Sequence, residues 1–525
     1  MSISRNTQIP GEKRRFRPTA AITVIEQIPV VLNEGERKRI TDIGRRLLAA
    51  EPTLNATAAF GSLVTSGLGP WPAVVIEDHS AIALFEESGD WPYSYRSLLL
   101  AADGDIVLIG VPRIEAFEDY CRDFLKLGRV RILCPRSVAS PRSLAQRAAE
   151  DDALITQLAE RARDEGGLNL ITYMGTGHVW KLAGRIASAS QRPVCVAAPP
   201  PRLTRRVNDK SWFTDRLIDV LGPRAAPPAT AVYNLSGLAS QVSRFASSYP
   251  NVAVKLPNSA SSAGNLVFDS RTLRQSSLRL VGETLRERLA DISWDGGFPL
   301  IVTAWEQPVL ASPSAQLWIP VPDDGTPIVE GIFDQTIIGE TAAFSGATPS
   351  ALSPVWQNRA AIEAVKLGTL FQALGYFGRC SFDAILVGDD GKPAELHWVE
   401  CNGRWGGVSI PMTLTNRLTG DWTRLPPVII GVDGLSGRAR PLQEIISGFR
   451  DDLYRCDTRP NGLVILSPGR LVAGTGYEAM ILESSVAVGR VEARNAAKRL
   501  LNAIGLDETS LHRSPKIPES EETPV

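Results

Sequence analysis

The stretch 382–407, FDAILVGDDGKPAELHWVECNGRWGG, constrains the fold of this chain more than any other. Two apolar-rich runs, FDAILV and AELHWVEC, flank GDDGKP, and such a run–turn–run pattern predicts a β-hairpin. Its polar exceptions are ordered: Asp383 lies on the first strand, Glu400 and Asn402 on the second. Strand side chains alternate with period two, so Glu400 and Asn402 share a face. Where Asp383 points depends on the turn. If the turn centres between Asp390 and Gly391, Asp383 faces Trp398, one diagonal step from Glu400. A centre one residue later sets Asp383 directly opposite Glu400, whereas a centre on Gly391 itself flips the register and separates the acids. Two carboxylates and an amide on one face are oxygen ligands suited to a hard cation such as magnesium, which usually shares its shell with phosphates. Exposed strand residues would use the same letters. Here, though, the strands are largely apolar, the polar exceptions align, and Arg404, Gly406 and Gly407 follow.

Upstream, the pattern to about residue 200 alternates short apolar runs with amphipathic stretches. DIVLIGV (105–111), RVRILCP (129–135), LNLITYMG (168–175) and RPVCVAAP (192–199) read as buried strands. AFEDYCRDFLKLG and LAQRAAEDDALITQLAERARDEG read as helices between them, which predicts a parallel α/β sheet. YMGTGHVWKLAGRIA (173–187) reads as strand, glycine turn and helix, without the full glycine pattern of a dinucleotide site; His178 reads as a loop histidine. PPPRLTRRVNDK (199–210) reads as a connector. KSWFTDRLIDVLG then predicts a helix burying Phe213, Leu217, Val220 and Leu221, capped by Asn208 or Asp209 and ended by Gly222-Pro223. From about 230 to 430 strands are expected to dominate around one clear helix, which carries Leu367, Leu370, Phe371 and Leu374 and stops at Gly375. NGLVILSPG and GYEAMILES read as strands of a last unit, with RVEARNAAKRLLNAIG its helix.

Taken with its surroundings, ECNGR (400–404) resembles the C-terminal signature of the ATP-grasp superfamily, an acidic strand residue followed by Glu-x-Asn-x-Arg. The resemblance runs from about 205 to 415. It implies that Asp383, Glu400 and Asn402 hold magnesium, or manganese in its place, on the phosphates of ATP, and that Arg404 contacts the transferred phosphoryl group as the catalytic residue. NDKSWF and VAVKLP supply Lys210 and Lys255, similar to the family's two nucleotide-binding lysines. After Lys255 comes the small-residue loop PNSASSAGN, in which Ser261, Ser262 and Gly264 would line the phosphates; serines stand where relatives more often carry glycine. IVTAWEQPVL resembles the segment linking the two lobes, with Glu306 beside the nucleotide and Val309 an apolar wall. Gln316 and Gln335, on the strands that follow, would lie near the triphosphate or ribose.

The implied organisation is a loose tail (1–18), a Rossmann-like pre-ATP-grasp α/β domain (19–203), a two-lobed α+β ATP-grasp domain (204–432), a small C-terminal α/β cap (433–510) and a loose end (511–525). That order is similar to the pheganomycin-type peptide ligases. The implied reaction joins a small carboxylate to an amine, from an amino acid or peptide, through an acyl-phosphate. A phosphotransferase and a non-catalytic nucleotide binder of the same fold remain the alternatives.

Composition narrows the rest. A chain of 525 residues is too long for one hydrophobic core, and 44% apolar with 22% charged residues is ordinary for a globular protein. A formal net charge of −1 supplies no overall field towards nucleic acid or an acidic membrane, and no apolar run is long enough to span one. The N-terminus lacks the apolar core of a secretory signal. Cysteines 121, 134, 195, 380, 401 and 456 show no metal-ligand spacing, so reduced thiols and a cytoplasmic location are expected. Monomer or homodimer stays open.

Overall fold

The computed structural model describes residues 13–79, 82, 93–110, 112–136, 143–256, 264–292, 294–339, 343–388 and 393–507. Three sheets organise the chain. The first is the predicted parallel sheet, six strands in the order Val64–Ser66, Val194–Val196, Leu168–Thr172, Ala73–Ile76, Ile106–Leu108, Arg131–Leu133. Its central strands are buried along their whole length, as expected where helices cover both faces. Two strands, Val64–Ser66 and Ala73–Ile76, are additional to the four read from the sequence.

The second sheet has four antiparallel strands in the order Asn265–Asp269, Asn251–Lys255, Leu300–Ala304, Ala229–Val232. Here the expectation of one clear helix between 230 and 430 is corrected. Leu235–Ser248 and Leu278–Asp291 are both helices packed on this sheet, and Ser409–Thr419 is a third. The first buries Leu238, Val242, Phe245 and Ala246 and is capped by Asn234; the second buries Val281, Leu285 and Leu289 and is capped by Ser277. Serine and glycine lower the intrinsic helix propensity of Leu235–Ser248, and burial of its apolar face overrides that.

The third sheet has nine antiparallel strands, and it carries the hairpin. Val309–Ala311, Gly378–Val387, Pro313–Ile319, Ile328–Ile338, Ala343–Pro349, Pro427–Val432, Tyr477–Leu482 and Gly462–Ser467 follow in order, and Glu395–Asn402 pairs with Gly378–Val387. The C-terminal unit, closed by the helix Val486–Ala503, therefore joins this sheet through Pro427–Val432. One face is covered by the helix Pro354–Ala373, the one the sequence predicts to stop at Gly375, whose φ is +89°. Beside it lie Lys210–Leu221 and the N-terminal helix Glu34–Ala50, all sharing one apolar core.

Two further expectations change. The connector at 199–210 contains a short helix, Pro201–Val207, begun by a proline at its first position. The last residues of the polar N-terminal tail are held: Arg15–Phe16 pair with Val24–Ile25, and Lys13 lies 2.8 Å from Asp421. Among the described residues no helix is long and apolar enough to cross a membrane.

Candidate functional site

The hairpin leaves its loop in the register that would break the acidic cluster. Val387 pairs with Glu395, Ile385 with His397 and Ala384 with Trp398. Carried on, that ladder would set Glu400 against Phe382, on the side of the sheet that faces the core. Instead a β-bulge between Asp383 and Ala384 absorbs Val399. Asp383 then faces Glu400, and Ser381 faces Asn402. The extra residue re-aims the side chains that follow it, a known use of bulges. The anchor is the opposite face, where Phe382, Ala384, Trp398 and Cys401 are buried in the core shared with the helices.

Around Asp383 every oxygen has a donor. Ser314, directly across the neighbouring strand, donates its hydroxyl to Oδ1 at 2.5 Å, and Asn402 Nδ2 donates to Oδ2 at 2.8 Å. The Gln335 side chain adds a third bond, and Gln316 Nε2 donates to Ser314 Oγ at 2.8 Å. Burial and then the facing Glu400 charge push the Asp383 carboxyl up to about 6, while the Ser314 and Gln335 bonds pull it back.

Cations approach Glu400 from two other elements. Lys210 opens the helix Lys210–Leu221, whose cap is Asp209, accepting from the Ser211 and Trp212 amides at 2.9 and 3.0 Å. Phe213, three residues on, stacks on Phe382 at 5.7 Å and docks this helix on the hairpin. Lys210, a residue only 7% exposed, places its ammonium 3.4 Å from Glu400 Oε1. Lys255 ends its strand with the ammonium 5.5 Å from the Trp305 ring centre. Burial and then the like charge of Lys210 depress its pKa to about 8, against the pull of Glu400 and Glu306. Asn208, the other candidate cap, serves a different purpose: its Oδ1 accepts from the Gly403 amide at 3.1 Å and from Arg404 Nη1. A side chain at position 403 would run into Val207 Cγ2, so this approach needs glycine.

Asp383, Glu400, Asn402, Arg404, Gln316 and Gln335 line one cavity of about 280 Å³. Lys210 and Lys255 are not among its lining residues; Lys210 stands behind Glu400 and Lys255 against Trp305. Glu306 does not line it; its Oε2 lies 2.6 Å from His397 Nδ1, and that bond raises the His397 pKa. Val309 sits half-exposed on an edge strand, and the carbonyl of buried Gly264 accepts from the Leu256 amide at 3.0 Å. Ser261 and Ser262 lie outside the described residues. Among the described residues no three His, Cys, Asp or Glu side chains gather in a metal-binding group, so a cation at Asp383 and Glu400 would also draw on the Asn402 amide.

The far wall of the cavity went unread in the sequence. His79, Tyr93, Arg96 and Tyr173 come from the parallel-sheet region, and Asp433, Arg470 and Glu478 from the C-terminal unit. His79 and Tyr173 follow the carboxyl ends of two central parallel strands, where open α/β sheets place their ligands; that was the available signal. His178, one residue into the helix Gly177–Ser190 that Thr176 caps, is not on the wall. Arg96 is buried and fully engaged, with Nε on Glu77 at 2.9 Å, Nη2 also on Glu77, and Nη1 on Glu478 at 2.8 Å.

Residues 94–188 match the family described as Pre ATP-grasp domain. This stretch holds Arg96 and Tyr173, and the parallel sheet followed by antiparallel sheets is the mixed α/β fold expected of an ATP-grasp protein with its preceding domain. No curated protein sequence matches the chain. Among solved structures the chain is similar to biotin carboxylase from Campylobacter jejuni, at 13% identity, covering 87% of this chain and 99% of that one with a TM-score of 0.48. It is also similar to N5-carboxyaminoimidazole ribonucleotide synthetase from Thermus thermophilus, at 15% identity, covering 85% and 100% with a TM-score of 0.46.

Proposed function

We propose that this chain is an ATP-dependent ligase that joins a small carboxylate to an amine through an acyl-phosphate. One observation carries the reading: the bulge-set pairing of Asp383 with Glu400, joined by Asn402, under the ammonium of Lys210 and beside the guanidinium of Arg404. The Asp383 carboxyl, raised by burial and then by Glu400, and the all-oxygen donor set fit a hard divalent cation, magnesium or manganese. Bound by Asp383, Glu400 and Asn402, such an ion would offset charge on the nucleotide phosphates. Lys210 and Lys255 supply further positive charge to the same phosphates.

In the first step a carboxylate oxygen attacks the γ-phosphorus, and the bond to the ADP oxygen breaks. In the second an amine attacks the acyl carbon, phosphate departs with the bonding electrons, and the amine gives up a proton. Arg404 keeps donors beyond its bond to Asn208, and these hold first the transferred phosphoryl group and then the oxyanion on the acyl carbon. The protein contributes charge and position; no side-chain nucleophile is needed. The test is a product screen of the full chain with ATP, magnesium and pooled amino acids and dipeptides, following phosphate release and new masses. A mass equal to acid plus amine minus water is expected. Phosphate transferred to an acceptor with no such product would replace the ligase by a phosphotransferase.

A further inference from the structure

Two arginines of the cavity have donors to spare, one after the hairpin and one in the C-terminal unit. Arg404 is one. The other is Arg470, on the short helix Pro468–Ala473, which makes its contacts through Nη2 alone: to the Tyr93 hydroxyl and, at 2.9 Å, to Asp433 Oδ2. Its Nη1 and Nε have no hydrogen-bond partner among the described residues. Arg96, its neighbour across Tyr93, differs: two carboxylates occupy all three of its nitrogens. Among the described residues the ion pair of Arg470 is with Asp433, whose side chain is 69% exposed, and an ion pair in that much water neutralises little.

Arg470 is also held in place. The Tyr93 ring centre lies 4.6 Å from its Cζ and 4.4 Å from that of Arg96, so the guanidinium rests on an aromatic face. A stacked, anchored guanidinium with free donors beside a cavity is a fork for a planar anion, and carboxylate matches it with two parallel bonds. The cavity, about 280 Å³, is of a size for an amino acid or a short peptide.

We infer that Arg470 binds a second, non-reacting carboxylate of the small substrate, in the same cavity as the group activated beside Arg404. This rests on the ligase reading for its name of substrate. The carboxylate belongs either to the amine acceptor, which is then an amino acid or peptide with a free C-terminus, or to a dicarboxylate donor. A plain amine paired with a monocarboxylate would leave the fork empty.

The test is calorimetry on the full chain with magnesium and a non-hydrolysable ATP analogue. Amino acids and dipeptides are titrated beside their C-terminal carboxamides, and aliphatic dicarboxylates beside their monoamides. At least one acid should bind, its amide about 10- to 100-fold more weakly, the scale for a lost charged hydrogen bond. Arg470→Gln should weaken the acid by the same factor, leaving its amide and the ATP analogue unchanged. The series that responds tells whether acceptor or donor carries the group. Arg470→Lys, which keeps the charge but not the fork, serves if the glutamine variant melts early, and should fall between. Equal binding of acid and amide, an Arg470→Gln variant that binds the acid as wild type does, or binding by no member of either series overturns the inference. Parallel assays with ATP separate the two readings. Amide formation indifferent to Arg470 leaves the ligase and removes this site, whereas Arg470-dependent binding without any product leaves the site and removes the ligase.

Discussion

The two walls of the cavity were assembled in different ways. One comes from a hairpin whose functional groups lie within a few residues of each other, with Lys210 added from a docked helix. The other gathers Tyr93, Arg96, Tyr173, Asp433, Arg470 and Glu478 from a parallel sheet and a C-terminal unit far apart in the chain. The hairpin wall sets Asp383 beside a like charge, the arrangement expected where a cation and phosphates will complete the balance. On the far wall Arg96 is already neutralised by Glu77 and Glu478 and ties the parallel-sheet region to the C-terminal unit. Of the two far-wall arginines, Arg470 alone keeps capacity. Chemistry is therefore expected to depend on the first wall, and stability and substrate choice on the second.

Arg404→Ala gives the largest expected effect. Turnover should fall about 10²-fold or more, the scale for one oxyanion donor, with a much smaller change in ATP affinity. Arg404→Lys should rescue poorly, because an ammonium lacks the planar fork. Steady-state phosphate release and a thermal melt on each variant make the check. Full activity in a folded Arg404→Ala protein would erase the contrast between the walls.

Lys255 offers a sharper cut, because function and stability should move in opposite directions. Its folded pKa, about 8, lies below the ordinary 10.5, so the folded state is penalised while the lysine is charged. Stability should accordingly rise as pH climbs from about 8 to 10.5. Lys255→Met should flatten that rise and raise the melting temperature at about pH 7. ATP affinity at about pH 7 should drop about tenfold in the same variant, and in wild type should decline above about pH 8 as the ammonium is lost. A variant that both melts lower and binds ATP normally would make Lys255 a structural residue.

Smaller effects are expected on the far wall. Glu478→Gln removes one of two charged partners from buried Arg96 and should cost about 1–3 kcal/mol in denaturant unfolding, the range for a compromised buried bond. Asp433→Asn, at an exposed pair, should leave stability within error of wild type. If the order of these two is reversed, the network does not join the two regions as described.

How much of this was legible follows the same division. The hairpin and the placing of its acids could be read because alternation and turn chemistry are local, whereas the lysines were singled out only by the family resemblance. The bulge at Val399 could not. The loop-proximal register alone would have turned Glu400 towards the core, and it is the demand of Phe382, Trp398 and Cys401 for burial that brings it back. Helices 235–248 and 278–291 have readable apolar spacing, obscured by serine, glycine and charge along them. The far wall needed topology, since nothing in the sequence near Tyr93 announces Arg470, although Tyr173 and His79 stand just past parallel strands. The bond between Glu306 and His397 also spans 91 residues of chain, and no local pattern announces it.

The central claim is that Asp383, Glu400 and Asn402 hold a divalent cation on bound ATP. Titrating ATP into the full chain with and without magnesium, in wild type and Glu400→Gln, tests it most directly. Wild type should bind ATP far more tightly with magnesium than without it, and Glu400→Gln should lose most of that difference while melting no lower. The same magnesium dependence in both proteins, or none in wild type, would contradict it.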